Sequence, residues 1–215
     1  RFENHIDRYT GMMLINPFLK KHIAWWLDTP FSTVTQLNNL ALNGVQLVQN
    51  GTGLTISTTN DANGALYFSG SAWLTTSTPK PLMDKDFNIS CEVFIATGSD
   101  LYSVFLAQRI ESYHSDTEFY SLLDGRLLVV IYFSDDTSES FTGVAIRNQW
   151  QTVEMSRVGS TFSLKVDGVV AESKTINKTI RTYSSGTFNI GNANLASGSG
   201  TCTGSMRNLY IQVAD

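Results

Sequence analysis

An all-β fold, an antiparallel sandwich of two sheets, is predicted by three observations. Apolar and polar residues alternate over short runs, as in Phe87–Ile95 and Thr161–Val166. Turn dipeptides separate such runs: Asn43-Gly44, Asp124-Gly125 and Asp167-Gly168. Gly, Ser, Thr and Asn are abundant, and no stretch carries the long 3.6-residue periodicity of a helix. A length of 215 residues suits one such domain with a sizeable core.

The elements follow in order. Residues 1–21 concentrate charge at Arg1–Tyr9 and at Lys20-Lys21, and read as a linker or attachment segment preceding a sandwich over 22–215. The chain opens on Arg1 with neither an initiator Met nor a signal peptide, and is read as a piece of something longer. His22–Leu27 reads as a strand ending at the turn Asp28-Thr29-Pro30. Val45–Val48 lies between turns at Asn43-Gly44 and Asn50–Gly53. A short strand at Leu54–Thr58 and a loop at Asn60–Gly64 come next. Gly64–Thr76, GALYFSGSAWLTT, reads as a hairpin about Ser69-Gly70-Ser71, with Leu66 and Phe68 on one face and Tyr67 on the other.

In Phe87–Ile95 the odd positions are all apolar and include Cys91, which is expected to be a buried small hydrophobe. Glu118–Leu123 and Arg126–Phe133 read as a hairpin closed by a two-residue Asp124-Gly125 turn. That turn would pair Leu123 with Arg126 and set Tyr120 and Tyr132 on opposite faces. On the second strand both faces are largely apolar, so it is central and covered on both sides, or one face is a binding surface. Trp150–Val158, Thr161–Val166 and Val169–Ala171 alternate between turns, with Phe162, Leu164 and Val166 inward. Thr187–Ile190, a Gly/Ser/Asn-rich loop at 191–204 and a strand at Met206–Val213 close the domain.

Composition removes several functions. Charged residues make up 16% with a net charge of −4, which leaves no basic footprint for nucleic acid. No apolar run reaches the ~18 residues of a membrane span. Two cysteines, Cys91 and Cys202, make neither a disulfide framework nor a cysteine-rich zinc site, and both thiols are expected to be free.

Four stretches then carry a family resemblance: GALYFSGSAWLTT at 64–76; FNISCEVFI at 87–95; Trp150–Gly168, with its Arg157, Gly159 and Val166-Asp167-Gly168; and Phe188–Gly191 followed by Gly204–Ile211. In this order and spacing they resemble the concanavalin A-like, laminin-G-like jelly rolls over residues 22–215. The resemblance implies two curved antiparallel sheets, with a first strand near Trp25-Trp26 beside the last near Leu209–Ile211. It also implies a setting on a bacteriophage tail or other virion protein, or on a bacterial cell surface.

The β-glucan hydrolases of that superfamily carry acids at alternate positions of one strand, so that nucleophile and general acid stand ~5 Å apart. No E-x-D-x-E run occurs here, and no catalytic residue is expected. His5, His22 and His114 show no metal-ligand spacing, and no G-x-S-x-G elbow is present. Cofactors are expected to be none; calcium is the alternative, held by Asp116, Asp135, Asp136 and Glu139. Sugar binding needs only aromatic faces with amides or carboxylates beside them. The candidates are Tyr113, His114, Tyr120 and Tyr132, with Asp135 and Asp136 beyond the second strand; Trp73 and Tyr183 are further aromatics, Trp73 more simply read as core or rim. The expectation is a non-catalytic recognition domain of a larger virion or cell-surface protein, binding carbohydrate. A spacer or assembly domain with a protein partner is the alternative.

Overall fold

The computed structural model describes residues 47–52, 54–57, 65–69, 72–76, 85–96, 102–111, 114–122, 124–181, 187–191 and 202–214. The expected strand at 22–27, Trp25-Trp26 and the segment 1–21 lie outside the described residues. The strands begin with β1 (Leu47–Gly51), β2 (Thr55–Ser57), β3 (Ala65–Ser69), β4 (Ala72–Thr76) and β5 (Phe87–Ile95). Then come β6 (Tyr102–Glu111), β7 (His114–Leu122), β8 (Arg126–Tyr132), β9 (Ser138–Val144) and β10 (Trp150–Val158). The last are β11 (Thr161–Val166), β12 (Val169–Thr175), β13 (Thr187–Ile190) and β14 (Thr203–Val213).

These strands form two seven-stranded sheets, β1-β4-β13-β6-β7-β8-β9 and β12-β11-β10-β5-β14-β3-β2, with antiparallel pairing such as β10 with β5 and β7 with β8. The expected antiparallel two-sheet jelly-roll sandwich is the fold observed. Alternation explains the core. Phe87, Ile89, Cys91, Val93 and Ile95 of β5 point inward with Val153 and Met155 of β10 and Phe162 and Leu164 of β11. Leu127, Val129 and Ile131 of β8 and Phe119 of β7 face them from the first sheet. Burying a side chain of this size contributes roughly 1.5–3 kcal/mol.

Two expectations are corrected. GALYFSGSAWLTT is not a hairpin: β3 pairs with β2 and β14 in the second sheet, whereas β4 pairs with β1 and β13 in the first. The stretch therefore crosses from one sheet to the other, and Leu66 and Phe68 meet Ala72 and Leu74 in the same core. The strand expected to stop at Val48 runs on to Gly51, so Asn50 and Gly51 pair with Trp73 and Ala72. The alternating reading also left β6 and β9 unassigned.

One margin of the sandwich is closed by side chains. Edge strand β9 lies beside edge strand β12 of the other sheet. Lys174 Nζ donates to the Ser140 carbonyl at 2.7 Å, and the Thr142 amide donates to Glu172 Oε2 at 2.7 Å. Further along, Gln151 accepts from the Ile146 amide at 2.6 Å and donates to the Val144 carbonyl at 3.1 Å. Beyond β12 the chain crosses the β8–β9 turn. Ser134 donates to the Thr179 carbonyl at 3.0 Å and Arg181 to the Tyr132 carbonyl at 2.9 Å.

Candidate functional site

The outer face of the first sheet carries Tyr120 and Tyr132, and the β7–β8 loop determines that they share it. Gly125 has φ +83 and its amide donates to the Leu122 carbonyl at 3.1 Å. Asp124 accepts from the Arg126 amide at 3.1 Å and from its guanidinium at 2.7 Å. The loop therefore takes three residues, 123–125, ending in a left-handed glycine. Ser121 pairs with Leu127 and Tyr120 with Leu128, one residue off the register expected for a two-residue turn. That shift corrects the parity: Tyr120 and Tyr132 lie on the same face, which leaves Tyr120 in the candidate set.

Between the two rings stands Glu118, opposite Val130. The Tyr132 hydroxyl donates to Glu118 Oε2 at 3.4 Å. Tyr120 packs on Val104 and Ala107 of β6, in a small cluster separate from the main core. Counting four residues from Leu128 puts Tyr132 about 13 Å along the strand from Tyr120. Leu128 and Val130 form an apolar floor between them and are 8% and 5% exposed, although they point away from the sandwich core.

Arg181 lies over the Tyr132 ring, its guanidinium carbon 5.9 Å from the centroid, and pairs with Asp136 at 2.6 Å. Asp135 accepts from the Thr137 hydroxyl and amide and pairs with Lys178 at 3.1 Å. These bonds, the Thr137 hydroxyl foremost, hold the Asp135 carboxyl down at about 2. Glu139 pairs with Lys174 at 3.2 Å. Each of these three carboxylates thus faces its own cation. Among the described residues no three His, Cys, Asp or Glu side chains gather as a metal-binding group.

His114 opens β7 with its backbone paired to Glu111, and Asp116 lies in the same strand. Tyr113 and Tyr183 fall outside the described residues. Sequence reasoning missed Glu118 and Arg181. Glu118 shares even numbering with Tyr120 and Tyr132, a signal that only the correct register makes legible. Arg181 comes from a segment far along the chain and carried no local signal.

It also missed Asn189. Thr75 of β4, Asn189 of β13, Ala107 of β6, Glu118 of β7 and Val130 of β8 form one rung across the sheet. Phe188 and Ile190 point into the core, so Asn189 points to the outer face. It is fully buried, with no hydrogen-bond partner for either polar side-chain atom. Trp73, flanked by the inward Ala72 and Leu74, shares this face, and its Nε1 is likewise buried without a partner.

Among curated proteins none matches the chain by sequence. Solved structures do. The binding domain of Paraclostridial Mosquitocidal Protein 1 superposes with a TM-score of 0.66 at 12% identity, over 92% of this chain and 50% of that one. The botulinum neurotoxin serotype D binding domain gives a TM-score of 0.63 at 12% identity, over 81% of this chain and 45% of that one. This chain thus spans about half the length of those toxin domains. Domain 4 of AbnA, a GH43 extracellular arabinanase from Geobacillus stearothermophilus, in complex with arabinotriose, gives 0.65 at 11% identity, over 91% of this chain and 94% of that one. Likeness at such identities establishes a shared fold, and the domains that share it here are named for binding or were solved with a bound sugar. The family model that matches spans residues 68–212, from Phe68 through β14, and on that match the chain belongs to the concanavalin A-like lectin/glucanases superfamily.

Proposed function

We propose that this non-catalytic binding domain recognises carbohydrate on the outer face of its first sheet, as part of a larger extracellular protein of a virion or cell surface. The observation that carries the reading is the shared face of Tyr120 and Tyr132 with Glu118 between them. Two rings about 13 Å apart with an apolar floor between them stack on two non-adjacent units of one oligosaccharide, and the carboxylate accepts from hydroxyls. Sites of this kind combine aromatic area with a few placed polar groups. The arabinotriose bound to the AbnA domain supports the same ligand class.

The test is a printed glycan array followed by calorimetric titration with arabinotriose and with the strongest array ligand. Tyr132→Ala should weaken binding about tenfold or more, the cost of a hot-spot aromatic, while the melting temperature stays near that of the parent. Equal affinity in parent and variant sinks the reading.

A second reading, assembly with a protein partner, has its own observation. Val144, Val169 and Val170 are 68%, 70% and 54% exposed. Val144 lies two residues beyond Thr142 and Val170 two before Glu172, whose side chain bonds the Thr142 amide, so the valines cluster at one end of the closed margin. Light scattering on the parent and on a Val169→Ser, Val170→Ser variant tests it: a larger assembly in the parent alone supports it, and two monomers reject it.

A further inference from the structure

We propose that a sugar-unit subsite lies over Ala107, bounded on one rung by Asn189 and Glu118 and flanked by Trp73 and Tyr120. The proposal rests on the carbohydrate reading and extends it across the sheet, from β7–β8 toward β4–β13.

The geometry starts from the rung. Asn189 pairs with Ala107 and Ala107 with Glu118, so the two polar side chains stand on either side of a methyl group. Two strand spacings separate them, about 10 Å between backbones. That width accepts one pyranose or furanose ring. Tyr120 packs against the Ala107–Val104 cluster, and Trp73 lies diagonally from Asn189 across the β4–β13 pairing. Two aromatic rings thus border two hydrogen-bonding groups above a small floor.

Asn189 supplies the independent observation. A buried amide without partners costs a folded protein on the order of 1–3 kcal/mol, and alanine or valine would serve a β-strand there at no such cost. Here both amide atoms and the neighbouring Trp73 Nε1 are unpartnered. The amide presents a donating NH2 and an accepting carbonyl oxygen side by side, the complement of two adjacent sugar hydroxyls. Thr75, next on the rung, is already bonded by Asn50 Nδ2 at 3.1 Å, so the unmet capacity is at Asn189 itself. The centre of the site is fully buried while Trp73, Glu118 and Tyr120 around it are half-buried. A bound sugar unit takes the hydrogen bonds that the amide lacks.

Asn189→Ala tests this through binding and stability together. Titration with arabinotriose and with the strongest array ligand should show affinity reduced about tenfold or more, while the melting temperature holds or rises because an orphaned amide has been removed. Ala107→Val, which raises the floor, should reduce binding to a similar degree. A parent that binds no glycan rejects the carbohydrate reading and this subsite with it. A parent that binds, with Tyr132→Ala weakened and both Asn189→Ala and Ala107→Val unchanged, rejects the subsite alone. A fall in melting temperature for Asn189→Ala also rejects it, because the amide would then be a structural bond rather than a ligand contact.

Discussion

The Phe68 ring occupies the space that any side chain on Gly191 would need. Both residues are buried, Gly191 has φ +84, and its amide donates to the Phe105 carbonyl at 3.0 Å. The contact joins β3 of one sheet to the end of β13 in the other. Gly191→Ala combines a left-handed backbone with an overlap against a rigid ring, and should cost about 3 kcal/mol or more. Phe68→Ala should cost about 3–5 kcal/mol. Because loss of the ring relieves the overlap, the double variant should cost less than the two together. Urea denaturation of all three checks this, and strict additivity would show that the two positions are not coupled.

Phe162 is fully buried, stacked with Phe141 at 6.1 Å and edge-on to Phe87 and Phe133 at 6.2 and 6.3 Å. Phe162→Ala should destabilise by about 3–5 kcal/mol. Trp73→Ala, at a half-buried position on the outer face, should cost less. Denaturant midpoints lowered equally by the two substitutions would contradict the assigned faces.

The acid response of the β8–β9 turn follows from Asp135, whose carboxyl is lowered from 3.8 to about 2. A depressed carboxylate stabilises the fold above its unfolded value and loses that contribution as pH falls toward the folded one. Melting temperature should therefore drop between about pH 4 and pH 2, and Asp135→Asn should flatten part of that drop. The carboxylate is exposed to solvent, so the effect is small and weakens with salt. Identical acid profiles for parent and variant would refute it.

Cys91 and Cys202 are free and buried. Burial pushes the Cys91 thiol up, and the Cys202 thiol up to about 12. Neither forms the thiolate needed for reaction near neutral pH. A thiol reagent should label neither cysteine in the native protein and both in denaturant, and the unreduced mass should show no two-dalton deficit. Rapid native labelling would mean that the segment carrying the labelled cysteine opens locally.

Much of this architecture is written in two-residue periodicity. Phe87–Ile95 and Thr161–Val166 declare their inward faces because one side of each strand must be buried, and the structure buries Phe87, Ile89, Phe162 and Leu164 accordingly. Loop length is a finer matter. Asp124-Gly125 suits both a two-residue and a three-residue connection, and the extra residue moves Tyr120 to the other face. Periodicity also cannot tell a hairpin from a crossing between sheets, since Phe68 and Leu74 look inward in either case. The partners of Asp135 and Asp136 come from Lys178 and Arg181, some forty residues along the chain, where nothing nearby in sequence announces them.

The margin where Lys174, Glu172 and Gln151 bond the outer backbone groups of β9 has a consequence for life at high concentration. An open strand edge is a template on which other chains polymerise. Here the Ser140 and Val144 carbonyls and the Thr142 and Ile146 amides are already occupied. A second molecule therefore meets an interrupted ladder on that side, so the domain can be displayed in many copies with its β9 edges blunted against zipping into fibres.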